Sequence, residues 1–458
     1  MTQEERYKYM TEGDIHKIIP HLAIPTIITM LITSIYNMAD TYFVGKIDTN
    51  ASAAVGIIFS IMAMIQAIGF TLGMGCGNYV SRLLGKKDIE LASHVSSTIF
   101  FTSIGVGVIF ATICLSFLSG LIVFLGAIPE VKPYAMDYAR FIILAAPIMM
   151  GSFMLNNLLR AQGNAVKSMI GICTGGIINM FLDPLLIFTC DLGITGAALS
   201  TALSQLISFS ILLYMVQTSK NSIHISHTNF KPSKNIYLNV LHTGLPSLFR
   251  QGLASISSIV LNNVAGPYGS AAIAAVSIVN RFMMMIYSSV IGFGQGFQPV
   301  CGFNYGAKKY DRVLKAYYFC MKVAICILAI LGTISFIWAR PIVTLIKDND
   351  PVVIDIATKA LRYQCITLPL QGIMISSQFM IQSIGYGIRA SLIAMGRQGL
   401  FLIPAYFILP YFFGLTGILI GQPVSDTITV LMALIISRTV IKEIKNKAKE
   451  LDYGIKSQ

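Results

Sequence analysis

Charged residues are scarce in this sequence. Asp, Glu, Lys and Arg make up 12% of the 458 residues, hydrophobic residues make up 55%, and the mean hydropathy is +0.71. A soluble protein carries about 25% charged residues, so this chain lacks the polar surface that a water-soluble fold of its length requires. The composition therefore excludes a soluble globular protein and indicates an integral membrane protein.

Several functional signatures are also missing. The period-two alternation of a membrane-spanning β-barrel is absent, and no cleavable signal peptide precedes the first apolar run. The eight cysteines show no CxxC or metal-ligand spacing, so they predict packing residues rather than a metal site. There is no ATP-binding motif, no His/Glu metal pair and no nucleophile with a base. We therefore expect neither an enzyme nor a cofactor, and an ion gradient as the energy source.

Long apolar runs dominate what is present. The run at 91–129, like six others, lacks Asp, Glu, Lys and Arg and exceeds the roughly 20 residues that cross a bilayer as a helix. The pattern predicts an all-α integral membrane protein with twelve transmembrane helices. Their approximate limits are 15–42, 51–81, 91–124, 133–160, 166–190, 193–218, 236–264, 270–300, 311–340, 352–384, 388–410 and 414–440.

The chain contains an internal repeat. When residues 25–87 are laid over residues 246–308 without a gap, sixteen positions are identical, including Pro25 with Pro246. A duplication in a membrane protein is typical of a transporter whose halves move around a shared site. Six spans per half predict two lobes related by a pseudo-two-fold axis along the membrane normal. The predicted parts are an N-terminal lobe, a cytoplasmic linker, a C-terminal lobe and a cytoplasmic tail, at 1–218, 219–235, 236–440 and 441–458.

Basic residues predict the orientation. If both termini are cytoplasmic, the cytoplasmic segments hold 22 Lys and Arg residues and the opposite segments hold seven. Positive residues favour the cytoplasmic side, so we expect a multi-pass protein of the cytoplasmic membrane with both termini inside. The formal net charge of +13 is dispersed among short loops. It predicts contact with membrane lipid and no nucleic-acid partner.

Three acidic residues lie within apolar spans. They are Asp40, Asp183 and Asp426, whereas the other seventeen acids lie in termini, loops or span ends. An acid at the centre of a bilayer helix costs about 2.5–3.5 kcal/mol on insertion scales, and such residues commonly carry ions or protons. The alternative to such a role is a structural hydrogen bond between helices. This alternative is stronger for Asp426 than for Asp40 and Asp183.

Asp183 has a polar neighbour one helical turn away in the sequence. Asn179 lies four residues earlier, on the same helical face, and Pro184 cannot donate a backbone hydrogen bond. Tyr36 and Asp40 have the same spacing in the first span. Carboxylate, amide and carbonyl oxygens suit a small cation such as Na⁺. The carboxylates could instead hold a trapped proton. The repeat places Leu261 and Pro404 opposite the two acids, so we expect cation chemistry in the N-terminal lobe alone.

The C-terminal lobe holds polar residues of less certain role. Arg250 and Arg281 could contact substrate or pair with Asp426, and we expect the structural pairing. Met283 belongs to a methionine run beside Arg281. Thioethers suit varied ligands, although methionine at helical spacing more often packs in a core.

The chain resembles the multidrug and toxic compound extrusion (MATE) transporters. The resemblance spans nearly the whole chain and is strongest to the DNA-damage-inducible-protein-F-like and multidrug-efflux-protein-A-like branches. It rests on Pro25, Asp40 and Gly45 at their family spacing and on four segments: RLLGKKD (82–88), NMFLDPLLIF (179–188), GITGAALSTALSQ (193–205) and QGFQPVCGFNYGAKK (295–309).

The resemblance implies roles for individual residues. It implies a site for H⁺ or Na⁺ at Asp40, Asn179, Asp183 and Thr201, with Tyr36 and Asn157 at neighbouring polar positions. A carboxylate that another branch uses near the start of span seven is replaced here by Arg250 and Gln251.

The expected function is cation-coupled antiport. A monomer would export organic, often cationic or amphipathic, compounds by rocking its lobes so that the cleft opens alternately to each side. A lipid-linked oligosaccharide flippase of the same superfamily is the alternative, and would require a groove rich in basic residues. A membrane enzyme or a channel fits less well, because the former lacks catalytic groups and the latter needs no two-lobe duplication.

Overall fold

The computed structural model describes residues 2–218, 223–346 and 350–456, and this part of the chain folds into sixteen α-helices with no strand. Short π-helical turns follow α7 and α14, at Leu185–Thr189 and Gly396–Leu400. The helices are α1 (Gln3–Glu12), α2 (Ile15–Gly45), α3 (Thr49–Gly85), α4 (Ile89–Ser116), α5 (Leu118–Phe124), α6 (Lys132–Ala161), α7 (Ala165–Pro184), α8 (Gly193–Gln217), α9 (Lys234–Ala265), α10 (Ser270–Gly306), α11 (Tyr310–Ile337), α12 (Ala339–Ile346), α13 (Pro351–Ser383), α14 (Gly387–Met395), α15 (Leu402–Phe413) and α16 (Leu415–Lys456).

Within the described residues, twelve helical segments are long enough to cross a membrane. Ten of them are also strongly apolar along their length, with α7 and its π turn forming one span and α14 to α15 another. The remaining two are α9 and α13, of 32 and 33 residues, which carry more polar side chains. Arg250 of α9 and Gln371 and Gln382 of α13 point into the protein interior, so these polar groups avoid lipid. The prediction of twelve transmembrane helices is confirmed.

The two halves repeat each other in backbone detail. Lys87 and Lys308, which are 221 residues apart, both adopt positive φ, at 61° and 58°. Gly163 and Gly385 do the same at 78° and 101°, with a spacing of 222. A left-handed conformation is uncommon for a lysine, so its recurrence at equivalent turns confirms that the lobes are two copies of one unit. Helices α2 to α8 form the N-terminal lobe and α9 to α16 the C-terminal lobe.

At one end of the molecule, a helix of each lobe packs against the first helix of the other lobe. Helix α3 packs against α9 and α10 packs against α2. A Cβ atom on Gly85 would lie 2.2 Å from the carbonyl oxygen of Phe303, and one on Gly306 would lie 2.0 Å from that of Arg82. Residues 82 and 303, like 85 and 306, are equivalent in the repeat, so these contacts are a symmetric pair. Only glycine permits this approach, so the glycines at these two positions serve close helix packing.

This contact region is the basic end of the molecule. Arg82 donates from Nη1 to the carbonyl oxygen of Ser383 at 2.9 Å and from Nη2 to Thr243 Oγ1 at 3.4 Å, so it ties the N-terminal lobe to the C-terminal lobe. Helix α1 also binds to the C-terminal lobe, because Asn304 Nδ2 of α10 donates to the carbonyl oxygen of Met10 at 3.0 Å. The lobes are therefore closed against each other at the end that carries residues 82–88 and 303–312.

Candidate cation-binding site and central cleft

Three helices of the N-terminal lobe bring the predicted site residues together. Asn179 and Asp183 lie one turn apart on α7, and Asn179 Nδ2 donates to Asp183 Oδ1 at 3.2 Å. The same amide donates to Ser200 Oγ of α8 at 3.0 Å, and Ser200 donates back to the carbonyl oxygen of Asn179 at 3.3 Å. Asp183 is 0% exposed. The amide is thus held in place beside a carboxylate that is removed from water and lipid.

Asp40 reaches this pair from α2. Its carboxyl group lies close enough to Asp183 to interact with it electrostatically, and Tyr138 of α6 lies against both acids. Thr201 of α8, which is 6% exposed, lies beside the Tyr138 hydroxyl. Four of the predicted residues therefore lie in one cluster, in which Asn179, Asp183 and Thr201 are buried and Asp40 is partly buried.

Four buried oxygen atoms of this cluster have no hydrogen-bond partner among the described residues. They are Asp40 Oδ1, Asn179 Oδ1, Asp183 Oδ2 and the Tyr138 hydroxyl. An unsatisfied buried polar atom costs about 1–3 kcal/mol, and four together indicate a site for an electropositive ligand. Carboxylate, amide and hydroxyl oxygens fit a hard cation, and two adjacent carboxylates also fit a shared proton.

Tyr138 and Ser200 were not identified from the sequence. Tyr138 falls near the start of a predicted span, where tyrosine is ordinarily an interfacial residue, so the sequence gives no signal for a buried role. Ser200 directly precedes Thr201 on α8. Because Ser200 is a short polar residue beside a predicted ligand, its position in the sequence was the signal that could have identified it.

A cavity between the lobes adjoins the cluster. It has a volume of about 170 Å³ and is lined by both lobes, with Tyr36, Asn37 and Asn156 on the N-terminal side and Arg250 and Ser288 on the C-terminal side. Tyr36 also lies near Asp40, so one side chain of α2 both lines the cavity and adjoins the acidic cluster. We refer to this cavity as the central cleft.

Other predicted residues lie elsewhere. Asn157 Oδ1 accepts a hydrogen bond from Arg160 and does not line the central cleft, whereas its neighbour Asn156 does. Met283 is 1% exposed in the core of the C-terminal lobe, while Met284 lines the cleft. Arg281 is exposed on α10 and is not part of the cleft wall.

The prediction that Arg250 or Arg281 pairs with Asp426 is wrong. Asp426 Oδ1 accepts from Arg397 Nε at 3.1 Å, and its carboxylate also accepts from Gln422 Nε2 at 2.9 Å and from Gln371 Nε2 at 2.6 Å. Arg397 lies in the π turn between α14 and α15, where its side chain is buried. The sequence analysis had not considered this arginine.

The acids of the two lobes are consequently different. Both Asp426 oxygens are hydrogen-bonded and its charge is matched by a buried arginine, whereas Asp40 and Asp183 form no salt bridge within the described part of the chain. That part also contains no group of three or more His, Cys, Asp or Glu residues arranged to hold a metal ion. Within the described part of the chain, the acids without an arginine partner therefore lie in the N-terminal lobe, and cation chemistry in that lobe stays a prediction.

Comparisons with known proteins agree with this architecture. The MatE family model matches residues 25–185 and 246–407, which are the two repeats. A multidrug export protein, MepA, of Staphylococcus haemolyticus is 31% identical over 95% of this chain and 96% of its own length. The solved structure of a multidrug resistance MATE transporter in an outward-facing conformation has a TM-score of 0.90 at 27% identity, over 95% of this chain and 98% of the other.

A second solved structure, of a MATE protein in its bent conformation, is also similar. It gives a TM-score of 0.91 at 26% identity and covers 98% of this chain and 99% of the other. Similarity over the full length of both lobes, together with the family model matched in each repeat, confirms the resemblance noted in the sequence. The chain belongs to the MatE family, the multidrug and toxic compound extrusion transporters.

Proposed function

We propose that this protein is a cation-coupled antiporter that exports amphipathic organic compounds across the cytoplasmic membrane. The observation that supports the proposal most directly is the cluster of four unpartnered oxygens at Asp40, Tyr138, Asn179 and Asp183 beside a cleft between the lobes. The similarity to proteins named multidrug export protein supports an organic substrate. Both termini are proposed to be cytoplasmic, because the closed end carries most of the basic residues.

The residues of the cluster suit the task of ion coupling. Asp40 and Asp183 would each prefer to be neutralised in this buried site, and they can share one proton or hold Na⁺ together with the Asn179 amide oxygen. Because they lie on different helices, α2 and α7, neutralisation removes a repulsion between those helices. An ion can shift the two-lobe equilibrium only by binding one conformation more tightly, and this cluster provides such a difference.

Tyr36 would transmit the change to the cleft. Its side chain lines the cavity and lies near Asp40, and its ring packs against α7, where a Cβ atom on Gly176 would lie 2.9 Å from it. Movement of α2 against α7 therefore alters the cleft wall. We propose that the basic end opens when the ion leaves, that substrate enters there, and that ion binding from outside drives its release.

Two further parts of the proposal follow from the same geometry. The cluster and the cleft are formed within one chain, which supports a functional monomer. A lipid-linked oligosaccharide flippase is less well supported, because Arg250 is the single charged residue among those that line the cleft.

Transport by the purified protein in liposomes tests the proposal. We expect a fluorescent amphipathic dye to move against its gradient when a H⁺ or Na⁺ gradient is imposed, and not in its absence. Asp183→Asn should bind dye but fail to couple its movement to the ion. Equal accumulation with and without both gradients, in wild type and in Asp183→Asn alike, would exclude coupled antiport.

A further inference from the structure

Arg250 lacks an ionic partner although it lies between the lobes. Its closest polar contact is weak, from Nη2 to the thioether sulfur of Met74 at 3.7 Å, and its guanidinium carbon lies 5.7 Å from the ring centroid of Phe379. Within the described residues no carboxylate lies within salt-bridge distance of it. An arginine has five N–H donors, so most of its hydrogen-bonding capacity is unused and faces the central cleft.

The charge on the described residues that line the cleft is of one sign, whereas the acids Asp40 and Asp183 lie outside this lining. In the part of the chain that the structure describes, this lining contains no Asp, Glu or Lys, and Arg250 is its single charged residue. Arg160 of α6 lies behind the wall, where it donates to the side chains of Asn157 and Gln295, and Gln295 itself lines the cleft. Arg160 is close enough to Arg250 to interact with it electrostatically and likewise forms no salt bridge within the described chain. Charges interact strongly across a low-dielectric cavity, so a cationic group placed beside Arg250 would be repelled by it.

An arginine without a counter-ion is costly at membrane depth, and polar groups there commonly mark a substrate pathway. The Arg397 and Asp426 pair shows how the same lobe neutralises an arginine that has a structural role. Arg250 is not neutralised in this way. The missing partner is therefore best supplied by a ligand.

We propose that Arg250 binds the anionic group of an amphipathic organic substrate, a carboxylate or phosphate carried on an apolar body. The planar guanidinium can form two parallel hydrogen bonds to such a group. The apolar body fits against Phe70, Phe153, Met284 and Ile291, which line the same cavity. This inference rests on the proposed export function and specifies its substrate class. It differs from the expectation of cationic substrates.

Binding of three matched probes tests the proposal. They share a pyrene body and chain length and end in a carboxylate, a carboxamide or a trimethylammonium group, so differences in affinity report the end group alone. The protein is reconstituted in phosphatidylcholine nanodiscs and binding to empty nanodiscs is subtracted. We expect wild type to bind the carboxylate about tenfold or more tightly than the carboxamide, since hydrogen bonds to charged groups are the stronger ones.

Variants separate recognition from folding. Arg250→Gln should lose the preference for the carboxylate and still bind the carboxamide with wild-type affinity, which shows that the cleft is intact. Arg250→Lys should retain part of the preference because it keeps the charge. Arg281→Gln is the matched control, since this arginine of the same lobe is exposed and lies outside the cleft wall. It should behave as wild type.

The outcomes are distinct. Tighter binding of the trimethylammonium probe by wild type, or an unchanged preference in Arg250→Gln, would overturn the inference while leaving ion-coupled transport in liposomes untouched. Addition of phosphatidylglycerol distinguishes two sources of the anion. Competition with the carboxylate probe in wild type but not in Arg250→Gln would identify a lipid phosphate as the ligand, and no competition would identify a free organic anion.

Discussion

Asp426 Oδ1 accepts a hydrogen bond from Arg397 Nε at 3.1 Å, in the interior of the C-terminal lobe. The carboxylate is 1% exposed and the arginine 8%, so each charge is neutralised by the other. The N-terminal lobe has no equivalent pairing at Asp40 and Asp183 within the described chain. One lobe thus uses its buried acid to hold helices together, and the other keeps two acids available for a ligand.

Asp40→Asn and Asp183→Asn should each abolish ion-coupled efflux while leaving expression and folding near normal. Each substitution removes a charge that has no arginine partner, so no positive charge is left unpaired. Dye efflux from cells and melting temperature measure the two effects. Asp355→Asn is the control, because this exposed acid pairs with Lys359 at 2.8 Å on the surface. Wild-type dye resistance in either site variant would refute the site.

Asp426→Asn should lower stability by about 3–5 kcal/mol, because it leaves Arg397 as an uncompensated buried charge. The melting temperature in detergent reports the loss. Asp137→Asn should change it little, since its contact with Arg140 at 3.8 Å is half exposed and such pairs are worth about 0–1 kcal/mol. Loss of transport by Asp426→Asn with an unchanged melting temperature would instead assign ion chemistry to the C-terminal lobe.

Tyr138→Phe should weaken the response to the coupling ion without lowering stability. Tyr138 is fully buried, and its hydroxyl lies beside Asp40 and Thr201 without a hydrogen bond of regular geometry, so its removal costs the folded protein little. The ion concentration for half-maximal transport should rise. Tyr317→Phe provides the contrast, because its hydroxyl shares a hydrogen bond with Ser377 at 2.9 Å. That variant should lower the melting temperature and leave ion dependence unchanged, and the same pattern in Tyr138→Phe would show a purely structural role.

Pro25→Ala should bind substrate and export it poorly, whereas Pro246→Ala should be milder. Both prolines are buried within continuous helices, α2 and α9, and each removes one backbone hydrogen bond and so lowers the cost of bending. Of these two helices, only α2 also carries a proposed ion-binding acid, Asp40. Equilibrium dye binding and efflux measured for both variants test the difference. Equal export defects would mean that the prolines shape both lobes alike and do not gate the ion-binding lobe.

Gly85→Val should hold the basic end open, because its side chain would meet the carbonyl oxygen of Phe303. Cys301, which is 0% exposed on α10, should then react faster with a water-soluble maleimide, as measured by site-resolved mass spectrometry. Gly56→Val on the same helix is the matched control, since a Cβ atom there meets nothing within 4 Å. No increase at Cys301 in the folded Gly85→Val variant would show that this contact does not close the lobes.

The sequence by itself determined the twelve spans and their duplication. Apolar runs of membrane-crossing length are forced into helices because lipid offers the backbone no other hydrogen-bond partners. The repeat is visible because Pro25 and Pro246, like Gly85 and Gly306, serve equivalent backbone positions. Asp40 and Asp183 could be singled out because an acid in an apolar span is costly enough to need a reason.

Only the tertiary structure decided which residues from different helices meet. Spacing placed Asn179 beside Asp183 on one helix, but no periodicity could predict that Tyr138 of α6 reaches the same cluster. Likewise, the sequence offered Arg250 and Arg281 as partners for Asp426, whereas Arg397, in the π turn after α14, pairs with it. The physical reason is that helical periodicity fixes the face on which a side chain lies, while its partner is chosen by the packing of helices distant in sequence.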